Sequence, residues 1–135
     1  MAKSITPFLM FQNGDAEDAM NFYLSLFPHS SIRSIERFGA EGPGKQGSVM
    51  TGILSLNGQA IMFLDSPVKH NFSFTPASSL FVECENAEEV DRLFAALSDG
   101  GKVLMAMEET FFASRFGQVQ DRFGINWMIL HERPR

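Results

Sequence analysis

The sequence contains very little of several kinds of residue, and each shortage argues against a class of protein. Cysteine occurs once, at Cys84, so the chain cannot form an internal disulfide, and a reducing, cytoplasmic location is predicted. The 11 basic residues are outnumbered by 16 acidic ones, and a net charge of -5 disfavours nucleic acid as a partner. No apolar run approaches the roughly 20 residues of a membrane span, and the first residues lack the apolar segment of a signal peptide. We therefore expect no membrane partner.

Histidine and most aromatic types are also scarce. The three histidines, His29, His70 and His131, show no spacing typical of metal ligands. Tryptophan and tyrosine occur once each, whereas phenylalanine occurs 14 times and methionine 8 times. Such large, adaptable side chains are typical of a packed core, and they also suit an apolar ligand cavity.

The strongest positive feature is an internal repeat. Residues 8–24 and 79–95 each read as an apolar strand, a turn, an acidic helix start and an amphipathic helix. Residues 56–66 are likewise echoed by residues 122–132. The repeat predicts two modules of the order β-α-β-β-β. Their predicted bounds are about 1–66 and 79–135, with a linker over 67–78.

Turn and capping residues predict where the elements of the first module lie. Asp15 is a candidate helix N-cap, and Pro28 ends the helix. The alternation in residues 31–38 predicts a strand with Ile32 on one side and Ile35 on the other. Asn57-Gly58 is a hairpin signal. The predicted strands of this module are 5–12, 31–38, 49–56 and 59–65.

The second module carries similar signals. Asn86 and Glu89 have the spacing of a capping box, and Gly100-Gly101 should end the helix. The segment 107–114 is predicted to be an excursion between strands. The predicted strands of this module are 79–85, 102–105, 115–120 and 125–131.

Four segments carry a resemblance to a known family: residues 5–28, 56–66, 80–105 and 116–127. In order and spacing they resemble the vicinal oxygen chelate superfamily, which includes glyoxalase I, extradiol dioxygenases and bleomycin-resistance proteins. Within it, the chain looks most like the PhnB-like group, whose domains carry the label 3-demethylubiquinone-9 3-methyltransferase. The resemblance implies an α+β fold, a single domain of two βαβββ modules in pseudo-twofold repeat, with curved mixed sheets around a cleft. It also implies a homodimer.

Metal-dependent members of the superfamily hold their ion with residues on the first and last strands of each module. The resemblance carries these positions onto Phe8, Met62, Ser79 and Met128. None is a histidine, carboxylate or cysteine, the ligands that divalent transition metals need. We therefore predict no metal and no cofactor.

The methyltransferase label is not matched by the sequence. Enzymes that use S-adenosylmethionine commonly have a glycine-rich loop between strand and helix. The two strand-helix junctions here, residues 13–15 and 84–86, lack that pattern. Methyl transfer is therefore not expected. Cys84, beside two glutamates on an apolar strand, is not expected to be a nucleophile either.

We predict that the cleft binds a small, partly apolar molecule without a metal. Glu83 is the carboxylate that could serve as a general acid or base, so an enzyme of the superfamily, a lyase, isomerase or dioxygenase with a rebuilt site, is an alternative. A structural or regulatory dimer without ligand is another. Asp65 and His131 occupy equivalent positions in the repeat, and a surface role is expected for both. The predicted binding residues are Phe8, Met10, Met62, Ser79, Phe81, Glu83 and Met128.

Overall fold

The computed structural model describes residues 1–133 and divides the chain into two compact units. Unit 1 comprises Met1–Asn71 and unit 2 begins at Phe72, so the boundary falls in the predicted linker. Each unit is one βαβββ module, which confirms the predicted α+β fold. Residues 134 and 135, part of the predicted second module, lie outside the described residues. Neither helix in the described part of the chain is long and apolar enough to cross a membrane.

The elements of unit 1 are β1 (Phe8–Phe11), α1 (Ala16–Leu26), β2 (Ser31–Arg37), β3 (Val49–Leu56) and β4 (Gln59–Asp65). The strands form one sheet in the order β1-β4-β3-β2. β1 runs parallel to β4, and the other pairs are antiparallel. Asn57 and Gly58 have φ angles of 51° and 90°, as a tight hairpin turn with primed geometry requires, so the predicted hairpin is confirmed.

The elements of unit 2 are β5 (Leu80–Glu83), α2 (Ala87–Ser98), β6 (Lys102–Glu108), β7 (Ala113–Gln120) and β8 (Asn126–Glu132). They repeat the topology of unit 1, with strand order β5-β8-β7-β6. The buried Asp121 carboxylate fixes the last turn, because it accepts the N–H groups of Phe123 (2.9 Å) and Ile125 (3.0 Å) and the Trp127 indole N–H at 2.9 Å. Trp127 therefore packs in the core.

Each helix covers one face of its own sheet, and a glycine lets it approach closely. A Cβ added at Gly52 in β3 would lie 2.8 Å from the Met20 sulfur of α1. A Cβ added at Gly117 in β7 would lie 2.7 Å from the Phe94 ring of α2. These contacts identify the helix-covered face of each sheet, because side chains alternate between the two faces of a strand.

The two helices begin differently. As predicted, Asn86 caps α2, since its side-chain oxygen accepts the Glu89 N–H at 2.8 Å. Asp15 holds the N-cap position of α1 but makes no side-chain cap hydrogen bond. The side chain of Asp65 caps α1 instead. One of its carboxylate oxygens accepts the Ala16 N–H at 2.9 Å, and the other accepts the Val49 N–H at 2.9 Å. The surface role predicted for Asp65 is therefore wrong, because its carboxylate is needed in the core.

Two sequence predictions of strand geometry also fail. A register shift between Ile32 and Ser34 in β2 inserts Arg33 as an extra residue, so Ile32 and Ile35 face the same side of the sheet. The predicted excursion over residues 107–114 is a tight hairpin. The Thr110 hydroxyl oxygen accepts the Ala113 N–H at 3.0 Å there, which allows β6 and β7 to extend further than predicted.

Candidate functional site

The candidate site consists of the sheet face opposite the helix in each unit, which we call the helix-free face of that unit. Gly52 points towards α1, so its β3 neighbour Ile53 points the other way. Residues paired across a sheet share a face, so the register extends this assignment to the other strands. The apolar members of the helix-free face of unit 1 are Phe8, Met10, Ile53, Ala60, Met62 and Leu64.

Three predicted binding residues lie together on unit 1. Phe8 is the register partner of Met62, and Met10 is the partner of Leu64 on the same two strands. Phe8 is 52% exposed, while Met10 and Met62 are half-buried. The edge strand β1 and its neighbour β4 therefore present a continuous apolar strip on the face that α1 does not cover.

Unit 2 presents the same pair of side chains at the equivalent place. Phe81 is the register partner of Met128, and it is 61% exposed. Glu83 follows on the same face, opposite Leu130, and is exposed. The Phe116 and Gln118 side chains of β7 share this face, because they pair with Leu130 and Met128. The face also carries Glu108, opposite Phe116, and Gln120, opposite Asn126, so its apolar side chains lie among polar ones.

Ser79 is not the structural equivalent of Phe8, contrary to the position carried over from the resemblance. It lies one residue before β5, and its hydroxyl donates to the Pro76 carbonyl at 3.3 Å. Phe81 holds the equivalent position because it pairs with Met128 as Phe8 pairs with Met62. The connection from strand to helix is shorter in unit 2, and this shifts the alignment of the first strands.

Arg33 belongs to the helix-free face of unit 1, although sequence reasoning did not identify it. Its guanidinium donates to the Ser55 hydroxyl at 3.5 Å, and Ser55 pairs with Ala60 and Ser31 on that face. Period-two alternation alone cannot place a residue that is inserted by a bulge. The repeat did not indicate Arg33 either, because the equivalent residue of the second module, Leu104, carries no charge.

The remaining reactive side chains have structural surroundings. The Cys84 side chain is buried, and desolvation, with the nearby Glu89 carboxylate, raises the pKa of its thiol to about 12. The thiol is therefore protonated at neutral pH, as predicted, and is not an activated nucleophile. The His131 ring nitrogen Nδ1 lies 2.8 Å from the Ser114 hydroxyl. Within residues 1–133 no three His, Cys, Asp or Glu side chains are grouped so that they could hold a metal ion.

Comparison with known proteins gives a family match over nearly the whole chain. The model of the family described as 3-demethylubiquinone-9 3-methyltransferase matches residues 3–130. A PhnB protein of known structure from Bacillus cereus is 48% identical, with a TM-score of 0.91 over 96% of this chain and 99% of that one. Protein YjdN of Escherichia coli K12 is 28% identical over 93% of this chain and 92% of its own length.

A more distant structure shows the wider fold. A glyoxylase/bleomycin resistance protein/dioxygenase domain from a Frankia species has a TM-score of 0.67 and is 14% identical. The match covers 98% of this chain and 93% of that domain. At this identity the likeness concerns the fold alone, and it confirms the glyoxalase-like architecture that the resemblance implied.

Proposed function

The chain belongs to the 3-demethylubiquinone-9 3-methyltransferase family, and we propose that it binds a small, partly apolar molecule on its helix-free faces without a metal ion. We do not propose methyl transfer. The junctions between first strand and helix, residues 12–15 and 84–86, lack the glycine pattern on which S-adenosylmethionine enzymes commonly rely. Function must be argued from the site rather than from the family label.

The observation that carries the proposal is the repeated pair of apolar side chains. Phe8 with Met62 and Phe81 with Met128 occupy the same register in their units. Both phenylalanines are more than half exposed, although large apolar side chains normally lie in the core. Contiguous exposed apolar surface marks a binding site, and the flexible thioether of methionine adapts to differently shaped ligands.

The neutral fluorescent probe N-phenyl-1-naphthylamine tests this proposal. We expect it to bind the wild-type protein with enhanced fluorescence. Met62→Lys and Met128→Lys should each remove binding at the face that carries the substitution, and the double variant should bind the probe at least tenfold more weakly. A charge on the apolar strip must be desolvated when the probe binds, which opposes binding. Titration at constant protein concentration gives the dissociation constants.

Val68→Lys is the matched control, since Val68 is 58% exposed and lies outside both sheets. We expect it to leave probe affinity unchanged within twofold. Circular dichroism confirms that the variants are folded. Wild-type affinity in the double variant Met62→Lys/Met128→Lys, or no probe binding by the wild type, would contradict the proposal.

The alternative function, an enzyme with a rebuilt metal site or acid-base chemistry at Glu83, makes a different prediction. Our proposal predicts only traces of Zn, Ni, Mn or Co, roughly below 0.1 mole of metal per mole of chain, after purification without chelators or a histidine tag. It also predicts no increase in melting temperature when these ions are added. A stoichiometric metal found by elemental analysis would refute the metal-free proposal and favour the enzyme.

The homodimer and the cytoplasmic location remain proposals as well. A homodimer would double the number of apolar faces in one assembly. Light scattering on the purified protein measures its mass, and a mass of one chain would refute the dimer.

A further inference from the structure

The helix-free face of unit 1 has an apolar half and a polar half. The apolar half lies on β1 and β4, with Ile53 of β3 beside it. Register partners assign the other half to β2 and β3, where hydroxyl and charged side chains predominate. Adjacent strands are about 4.8 Å apart, so β2 lies roughly 10 Å from β4. The members of the polar half are Ser31, Arg33, Ser34, Glu36, Thr51 and Ser55.

The bulge in β2 brings Arg33 to this face. Ile32 pairs with Leu54 and Ser34 pairs with Ile53, so two steps along β2 match one step along β3. Arg33 is the inserted residue, and its hydrogen bond to Ser55 shows which way the side chain points. Bulges commonly re-aim a side chain next to a functional site. In residues 1–133, the guanidinium of Arg33 forms no ion pair with a carboxylate.

The bulge itself does not require an arginine, and the second module demonstrates this. β6 has a register shift at the equivalent place, between Val103 and Met105, and its inserted residue is Leu104. The same backbone irregularity therefore forms around an apolar side chain. An exposed arginine at this position in unit 1 points to a role outside the fold.

We propose that the ligand of unit 1 carries an oxyanion, of the carboxylate, sulfonate or phosphate class, and that Arg33 and Ser55 bind it. The apolar part of the ligand lies on Phe8 and Met62, so this inference rests on the proposed function. The arginine fork matches the geometry of two oxyanion oxygens, and the Ser55 hydroxyl can donate a further hydrogen bond. The roughly 10 Å between β2, which carries Arg33, and β4, which carries Met62, suits a molecule about the size of a fused bicyclic ring with one anionic group.

Two probes with the same aromatic skeleton separate this inference from the proposed function. 8-Anilinonaphthalene-1-sulfonate is anionic, and N-phenyl-1-naphthylamine is its neutral counterpart. In a Met128→Lys background, which removes the face of unit 2, we expect Arg33→Leu to weaken sulfonate binding at least fivefold and to change neutral-probe binding less than twofold. Leucine is the residue found at the equivalent bulge. Added NaCl should weaken sulfonate binding to the wild type, because salt screens the attraction between the Arg33 guanidinium and the sulfonate. It should not weaken sulfonate binding to Arg33→Leu, which lacks that guanidinium.

Arg115→Leu is the control for loss of one positive charge. Arg115 is an exposed arginine of unit 2 that pairs with Asp91 of α2, and we expect its replacement to leave both affinities unchanged. Competition by 1-naphthoate and by 1-naphthyl phosphate then identifies the preferred oxyanion. Arg33→Lys, which retains the charge, should keep more sulfonate affinity than Arg33→Leu and supports the same conclusion if the leucine variant does not fold.

The outcomes are distinguishable. If the neutral probe binds and Arg33→Leu leaves sulfonate affinity unchanged, the oxyanion site is refuted while the apolar site stands. Equal losses in Arg33→Leu and Arg115→Leu would also refute it, because they would show a general effect of net charge. If neither probe binds the wild type, the proposed function itself fails.

Discussion

Replacing Gly101 with alanine is expected to destabilise the protein by about 3 kcal/mol, because the added methyl group collides with backbone. The new Cβ would lie 2.2 Å from the Gln120 carbonyl oxygen and 3.0 Å from two backbone atoms of Asp121. No side-chain rotation can relieve a contact with a carbonyl oxygen at the end of β7. The start of β6 or the Asp121 turn must therefore move. Urea denaturation of both proteins measures the loss.

Gly39→Ala is the matched control. An added Cβ there meets nothing within 4 Å. Its effect on the free energy of unfolding should stay within about 0.5 kcal/mol, as for most surface substitutions. Equal stability of Gly101→Ala and Gly39→Ala would contradict the predicted collision between a Cβ at position 101 and the Gln120 carbonyl oxygen.

Asp65→Ala is expected to lower the free energy of unfolding by about 3 kcal/mol. Asp65 is 4% exposed, and its two oxygens each accept a backbone N–H, one from Ala16 and one from Val49. Removing the carboxylate leaves two buried donors without an acceptor, at about 1–3 kcal/mol each. The start of α1 loses its cap at the same time, because Asp15 makes no cap hydrogen bond with its side chain.

Hydrogen exchange locates the effect of Asp65→Ala. The Ala16 and Val49 amides should exchange at least tenfold faster than in the wild type, while amides of α2 in unit 2 should change little. Asp18→Asn serves as the control, since Asp18 is an exposed aspartate in the first turn of α1, and we expect it to cost less than about 1 kcal/mol. Unchanged exchange at Ala16 would refute the capping role of Asp65.

The sequence was most informative where a local rule acts alone. β3 and β4 have the predicted bounds, and the Asn57-Gly58 turn fixes where β3 ends, where β4 begins and the register between them. The Asn86 cap was also predictable, because donor and acceptor lie three residues apart.

Local rules failed where a distant residue takes over a local task. Asp15 has the right residue type for a cap, yet Asp65 from β4 reaches the helix start. Ser79 was the position carried over from the resemblance, and the shorter strand-helix connection of unit 2 moves Phe81 into that position. Arg33 was overlooked because the alternation of side chains does not predict on which face an inserted residue lies.

The sequence by itself determined the two modules and their element order, and its resemblance to a known family pointed to the family. The modules and their order follow from periodicity and turn chemistry, which act over a few residues and are repeated twice in the chain. Only the tertiary structure decided that Asp65 is buried in unit 1 and that Arg33 lies beside Ser55. Both depend on the register between strands that are far apart in the chain, and a shift of one residue reverses the face on which a side chain lies.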